Sequence, residues 1–546
     1  MTSEDGHDRG RKLRARAAPA LAGVVLFAIL APSVLYPGAR TIIEVAGSIA
    51  QSDSWSEGWA GPSPRSIGLA VSRSLSAALV IALLATALAW PAARLLARGR
   101  RAAVWAPLLL TPMLMPSYLA YSGWGLARAP GTLLGDALVR FASSGARWAP
   151  VLTGQTLAII ALALWASPLA ALVLASSMAR QDSALDDALR LEPASLAQRL
   201  HTTLAIHRTG IASSVALVVL ATLGSSVPLH LAQLDTLGIV VWRELSESSR
   251  ADWWRAWVSA APLLALALLG AWIIGARLVR AARSDQDEPP RDDSPRASSL
   301  VTRSGALGVW LIAVGGPILL FAITIKHSAS LWTFWRLNGE GVMASLVVSL
   351  MVALATGAIA LSISYLLSTR SAWGAMASLL SVRVLLLSAL TPGVLVGAAL
   401  IESHPSVDPH ALPVLSGVAR FGFLGAVAAC VGAWGEPAAR RDARLLHSSS
   451  LRAWTIACLP GQWALLVGAA LGAGLMSIHE IESSVIVQPP GRGAMAQQIL
   501  SYLHFARLEE MSVAGLWLVG GGGVIAAAAT GLMGLGVRRL GRGRNA

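Results

Sequence analysis

The stretch SLSAALVIALLATALAWPAARLLAR, residues 74–98, decides the fold. From Ser74 to Trp90 it carries no charge, and arginines follow at Arg94 and Arg98. A spanning α-helix needs about 20 mostly apolar residues, and positive charge gathers on the cytoplasmic side of such helices. A segment of the same texture, SLVVSLMVALATGAIALSISYLLSTR, begins at Ser345. Working outward, twelve apolar runs recur, near residues 18–36, 67–90, 103–122, 150–178, 209–231, 256–280, 304–326, 343–367, 381–401, 411–434, 461–480 and 512–536. The fold class this implies is all-α: a polytopic membrane protein of about twelve transmembrane helices. Composition agrees, with 55% hydrophobic and only 13% charged residues, where soluble domains carry about 25% charged.

The net charge of +14 follows topology and gives no reason to invoke nucleic acid. Arg9, Arg11, Lys12, Arg14 and Arg16 precede the first run. Arg94, Arg98, Arg100 and Arg101 share one loop, and Arg538, Arg539, Arg542 and Arg544 crowd the tail. Alternation through twelve helices puts all three groups on one side, which the positive-inside rule makes cytoplasmic. Both termini are then cytoplasmic. Arg73 and Arg420 fall within expected spans. The first run has no convincing small-x-small cleavage site before the next loop and reads as helix 1 rather than a signal peptide. Cys430 and Cys458 give neither a disulfide framework nor metal-ligand spacing.

Residues 282–302 form the one long polar, Pro-rich stretch, which reads as a linker between halves at 1–281 and 303–546. The halves match in order. Ser74 lies over Ser345, Pro116 over Pro392, and Asp187 over Asp442. Six crossings per half make the repeat parallel, with its axis along the membrane normal and a pathway expected between the halves. Pro116, Pro392 and Gly393 are candidate pathway residues. Proline interrupts the helical ladder, and freed backbone at membrane depth must be buried in protein or line a wet cavity. Gly520–Gly523 and Ala526–Ala529 read as close-packing faces, and Trp253, Trp254 and Trp257 as an interfacial belt.

Two polar connections stand out. In DDALRLEPASLAQRLH, residues 186–201, Glu192-Pro193 breaks a helix. Ser195 then suits an N-cap, with Leu196, Leu200 and Leu204 in one stripe. Its counterpart RDARLLHSSSLRAWTIACLP, residues 441–460, breaks at His447-Ser448-Ser449 and resumes with Leu451, Thr455 and Cys458. An amphipathic helix outside the bilayer lies on lipid or docks in a groove. Two copies in matching places favour a partner that also comes in two copies.

These loops resemble the cytoplasmic coupling loop of ABC-importer permeases: Glu-Ala-Ala, three residues, Gly, nine residues, Ile-x-Leu-Pro. Asp187-Ala188 and Asp442-Ala443 fall at the Glu-Ala positions. Pro193 and Ser448 replace the Gly, followed by Ala194-Ser195-Leu196 and by Ser449-Ser450-Leu451. Leu459-Pro460 arrives one residue early, and the first copy has Leu204-Ala205 instead. The stretch HEIESSVIVQPPGRGAMAQQI, from His479, is similar to a Glu-Leu-x-Ala-Thr-x-x-Leu-x-Pro-Pro-Gly segment of ferric-iron and thiamine type permeases, with Glu480, Pro489, Pro490 and Gly491 in place. In the first half, LGSSVPLHLAQLDTLGIVVWREL has Ser225, Ser226 and Val227 where that family has an acidic-aromatic-Gly turn. The resemblance implies a fused, binding-protein-dependent permease of the bacterial inner membrane. It further implies two copies of an ATPase subunit on the coupling loops and an extracytoplasmic substrate-binding protein. The cargo would be ferric iron or a related small substrate. Glu480, Pro489, Pro490 and Gly491 join the candidate pathway residues, Glu480 because a carboxylate near a span's outer end is costly unless it faces a cavity or partner.

The only lysines, Lys12 and Lys326, sit in no phosphate-binding loop. The chain is therefore not the ATPase. It is expected to bind no cofactor, leaving ATP and Mg²⁺ to the partner, and to be no enzyme. The rival reading is a secondary transporter of two parallel halves. That class needs coupling carboxylates or basic residues deep in its spans, for which the sequence offers Arg73 and Arg420.

Overall fold

The computed structural model describes residues 18–51, 61–98, 102–179, 195–283, 299–327, 330–369, 371–434, 451–478, 480–489 and 493–542. Among them every regular element is helical. Before the linker come α1 (Ala18–Gln51), α2 (Pro64–Leu88), α3 (Trp90–Arg98), α4 (Ala102–Leu114), α5 (Ser117–Gly125), α6 (Leu133–Ser143) and α7 (Ala149–Met178). Then follow α8 (Leu196–Ile206), α9 (Arg208–Leu223), α10 (Val227–Leu231), α11 (Leu237–Glu247), α12 (Trp254–Ser259) and α13 (Ala261–Arg283). After the linker come α14 (Leu300–Thr324), α15 (Ser330–Ser368), α16 (Ala372–Leu390), α17 (Gly393–Ser403), α18 (Leu412–Phe421) and α19 (Phe423–Trp434). The chain closes with α20 (Leu451–Ala457), α21 (Leu459–Ile478), α22 (Ser484–Val487), α23 (Met495–His504) and α24 (Leu508–Arg542).

Among the described residues nine helices are long and apolar enough to cross a membrane. They become ten if α8 and α9, bent by 70° at His207, count as one broken span. The protein is thus a polytopic, all-helical membrane protein. The count differs from twelve for a physical reason. The run 103–122 is cut at Pro116 into α4 and α5, neither of which crosses alone, whereas the cut of 381–401 at Pro392 leaves α16 long enough to cross by itself and only α17 short. The run 209–231 ends at Gly224 and resumes as the short α10, while 512–536 lies within α24.

Helix starts follow local chemistry. Ser63, Ser299 and Ser371 each accept a hydrogen bond from the backbone N–H three residues on, in the manner of an N-cap. A second kind of cap is supplied from a distance. The buried Ser74 hydroxyl, within α2, accepts from Leu237 N at 2.8 Å and so caps the start of α11. The buried Ser345 hydroxyl, within α15, accepts from Met495 N at 3.1 Å and caps the start of α23. Each hydroxyl donates to the carbonyl four residues back, Ala70 or Gly341. Removing either hydroxyl orphans a buried N–H, which costs about 1–3 kcal/mol. Ser74→Ala and Ser345→Ala are therefore expected to destabilise the purified chain by similar amounts in thermal unfolding, and a large effect at one site alone contradicts the equivalence.

Packing crosses the chain's midpoint reciprocally. α1 lies against α17, and α14 lies against α5 and α3. α13 lies against α16 and α19, and α24 against α4. The first and last long helices before the linker thus pack on elements after it, and the reverse holds too. Arg40 Nη1 donates to Ser403 O at 3.3 Å, and His404 Nε2 hydrogen-bonds Pro32 O at 2.8 Å, fixing α1 to the end of α17. Where α5 meets α14, a Cβ on Gly123 would lie 2.7 Å from Pro317 Cβ, so the small residue permits the approach. Fully buried Phe321 fills that junction.

Candidate functional site

Both proline breaks have the same backbone. Pro116 takes φ −54°, ψ 135° ahead of α5, and Pro392 takes φ −51°, ψ 133° ahead of α17. A break frees carbonyls that must find donors at membrane depth. At the first, the Trp165 indole N–H donates to Met115 O at 2.8 Å. At the second, Arg420 Nη1 donates to Thr391 O at 2.6 Å and to Ala389 O at 3.1 Å. Trp165 and Arg420 therefore do the same structural work, one neutral and one charged.

The charge at the second break is answered by two carboxylates. Arg420 Nε lies 3.5 Å from Glu480 Oε1, and Arg420 Nη2 lies 3.6 Å from Glu482 Oε2. All three side chains are nearly buried, at 13% exposure for Arg420, 14% for Glu480 and 10% for Glu482. Glu482 Oε1 accepts from the Ser226 backbone N–H at 2.8 Å and from its hydroxyl at 3.1 Å. Glu482 Oε2 accepts from Gly393 N at 3.4 Å. Glu480 Oε1 accepts from the N–H and hydroxyl of Ser483, both at 3.2 Å. Ser416 Oγ in turn donates to Ser483 Oγ at 2.7 Å. Glu482 thereby joins a loop before the linker to the elements after it.

The structure gathers some of the sequence candidates and not others. Gly393 and Glu480 meet in this cluster, with Pro392 forming its edge. A Cβ on Gly393 would lie 2.6 Å from Glu482 Cβ and 2.9 Å from Glu480 Oε1, so glycine is what admits both carboxylates. Pro116 shapes the other break, next to Ser117, whose hydroxyl lies 3.5 Å from that of Ser225. Pro489 follows α22 by two residues and is half-buried. Pro490 and Gly491 lie outside the described residues, as do Asp187, Ala188, Pro193, Ala194, Asp442, Ala443, Ser448, Ser449 and Ser450. Ser195 caps α8 in a reciprocal box with Gln198, ahead of Leu196. Leu451 opens α20, and Leu459-Pro460 opens α21.

Glu482 and Ser226 are the residues that sequence reasoning missed. The available signal was charge balance: Arg420 inside an apolar run calls for a carboxylate partner, and HEIE offers two. Around α8 and α20, apolar side chains stay in the open. Leu200 is 59% and Leu204 47% exposed on α8, and Ile456 is 67% exposed on α20. Trp454 of α20 is instead buried edge-on against Tyr365. Among the described residues no group of three or more His, Cys, Asp or Glu side chains gathers as metal ligands would. Cys430 and Cys458 are both buried and form no disulfide with each other. A scan of protein-family profiles finds no family that matches the chain, and searches of curated proteins and of solved structures find no match either.

Proposed function

We propose that the chain is the membrane-spanning permease of an ATP-driven ABC importer, built from two parallel six-helix halves with twelve crossings. In this reading it sits in a bacterial inner membrane with both termini cytoplasmic. It takes ferric iron or a related small substrate from an extracytoplasmic binding protein and borrows ATP hydrolysis from two copies of a P-loop ATPase. The observation that carries the two-half reading is the paired architecture around the breaks. Ser74 and Ser345 cap matching helices, Pro116 and Pro392 share one backbone conformation, and end helices are exchanged in both directions. α8 and α20 precede α9 and α21 at corresponding places, each with exposed apolar side chains for a docking partner. Alternating access then follows if closure of the ATPases displaces both short helices and rocks the halves about the Glu482–Ser226 contact.

One observation favours the secondary transporter as second reading: two carboxylates and an arginine lie buried between the halves, where a coupling ion would act. Purification of the tagged chain from its own membrane separates the two. The expected result is a P-loop ATPase at two copies per chain. Leu200→Asp combined with Ile456→Asp is expected to release it while leaving the unfolding midpoint unchanged, because both side chains are exposed. A chain that emerges alone, or an ATPase that survives both replacements, rejects the importer reading.

A further inference from the structure

The buried cluster holds two carboxylates against one guanidinium, which leaves one negative charge unanswered. Charge buried without a partner is costly, so such groups are paired or bind an ion. The fold itself does not demand these charges. The matching break before α5 is built in the same conformation from neutral groups, with Trp165 on the freed carbonyl and Ser117 beside Ser225. A separate observation points to an open ligand position. Tyr118 is 3% exposed, and among the described residues its hydroxyl finds no hydrogen-bond partner. It packs in one cluster with Val227 and Ile481, neighbours of Ser226, Glu480 and Glu482, and it stands in the field of the Glu480 charge. Carboxylate and hydroxyl oxygens are hard donors suited to small cations.

We propose that Glu480 and Glu482, with the Tyr118 hydroxyl, form a site for one exchangeable monovalent cation, either a proton or an alkali ion. The charged and titratable groups facing the pair among the described residues are Arg420 and Tyr118. Ser226, Gly393 and Ser483 supply neutral donors. The occupant converts a charge-unbalanced contact into a balanced one beside the hydrogen bonds from Ser226 to Glu482. This site stands whether ATP or an ion gradient drives the protein.

The test uses the full chain purified in detergent, with thermal unfolding as readout. One arm replaces choline chloride by NaCl or KCl at constant pH and ionic strength. The other lowers the pH from about 8 to about 6 in choline chloride, since a ligand that binds only the folded state raises its midpoint. The midpoint is expected to rise by about 2–4 °C in one arm, which identifies the occupant as alkali ion or proton. Glu480→Gln removes the surplus charge. It is expected to unfold no lower than the wild type in the unliganded condition and to lose the response. His479→Gln, beside the pair in sequence, is expected to keep it. A wild type that responds in neither arm overturns the proposal, and so does a response that persists in Glu480→Gln or is lost in His479→Gln.

Discussion

Arg420→Met is expected to be the most damaging single replacement in the buried cluster. It removes the cation that faces Glu480 and Glu482 at 3.5 and 3.6 Å and also withdraws the donor from Thr391 O and Ala389 O. Breaking a buried ion pair by deleting one partner costs about 3–5 kcal/mol, because a charge is stranded away from water. The loss is read from the unfolding midpoint of the purified chain, followed through the fluorescence of its 20 tryptophans. Two companions assign the cause. Arg420→Met with Glu482→Gln should regain part of the loss, since fewer charges are stranded. Trp165→Phe, which withdraws the neutral donor from Met115 O, should cost only the hydrogen-bond share of about 1–3 kcal/mol. Equal losses for Arg420→Met and Trp165→Phe would show that the backbone break, and not the ion cluster, carries the energy.

Gly393→Val carries the second large effect. Its first side-chain atom would fall 2.6 Å from Glu482 Cβ, 2.9 Å from Glu480 Oε1 and 3.0 Å from Glu482 Oε2. No rotamer relieves a clash at Cβ, so α17 must move away from the loop ahead of α22, and overpacking of this kind costs about 1–3 kcal/mol. Displacement also lengthens the Gly393 N–H contact to Glu482, already 3.4 Å. The control is Gly472→Val in α21, where an added Cβ meets nothing within 4 Å. A lowered midpoint for Gly393→Val beside an unchanged one for Gly472→Val is the expected pattern. Equal behaviour of the two would mean that the approach of α17 to the carboxylates is looser than described.

Much of this architecture was legible before any coordinates. Long apolar runs mark helices because a spanning segment must satisfy its own backbone, a requirement that acts locally and leaves a local trace. Ser74 and Ser345 stood out as matched letters, and Ser195 as a cap, since both signals lie within one helix or one turn. What stayed hidden depends on partners far apart in sequence. Arg420 read as a stray charge because its carboxylates lie some way along the chain, and Ser226 read only as a lost turn because Glu482 completes it from across the linker. Pro116 and Pro392 were visible as breaks, yet whether each half-helix continues across the membrane is a matter of angle, which letters do not encode. The exchange of end helices had no sequence signal either, because a lipid-facing and a helix-facing apolar surface are written in the same residues.

That exchange bears on how the protein is made. Synthesis proceeds from the N-terminus, and α1 leaves the ribosome long before the α17 it finally rests on. In the interval it must reside in lipid with its polar groups exposed to hydrocarbon. Its own sequence answers the problem: the Ser33 hydroxyl donates to Ile29 O at 2.7 Å, and Arg40 pairs with Glu44 one turn away at 2.6 Å. These polar groups are paired within the helix while it waits, and the Arg40 contact to Ser403, the His404 contact to Pro32 and the Tyr36–His404 ring contact are added when the later elements arrive.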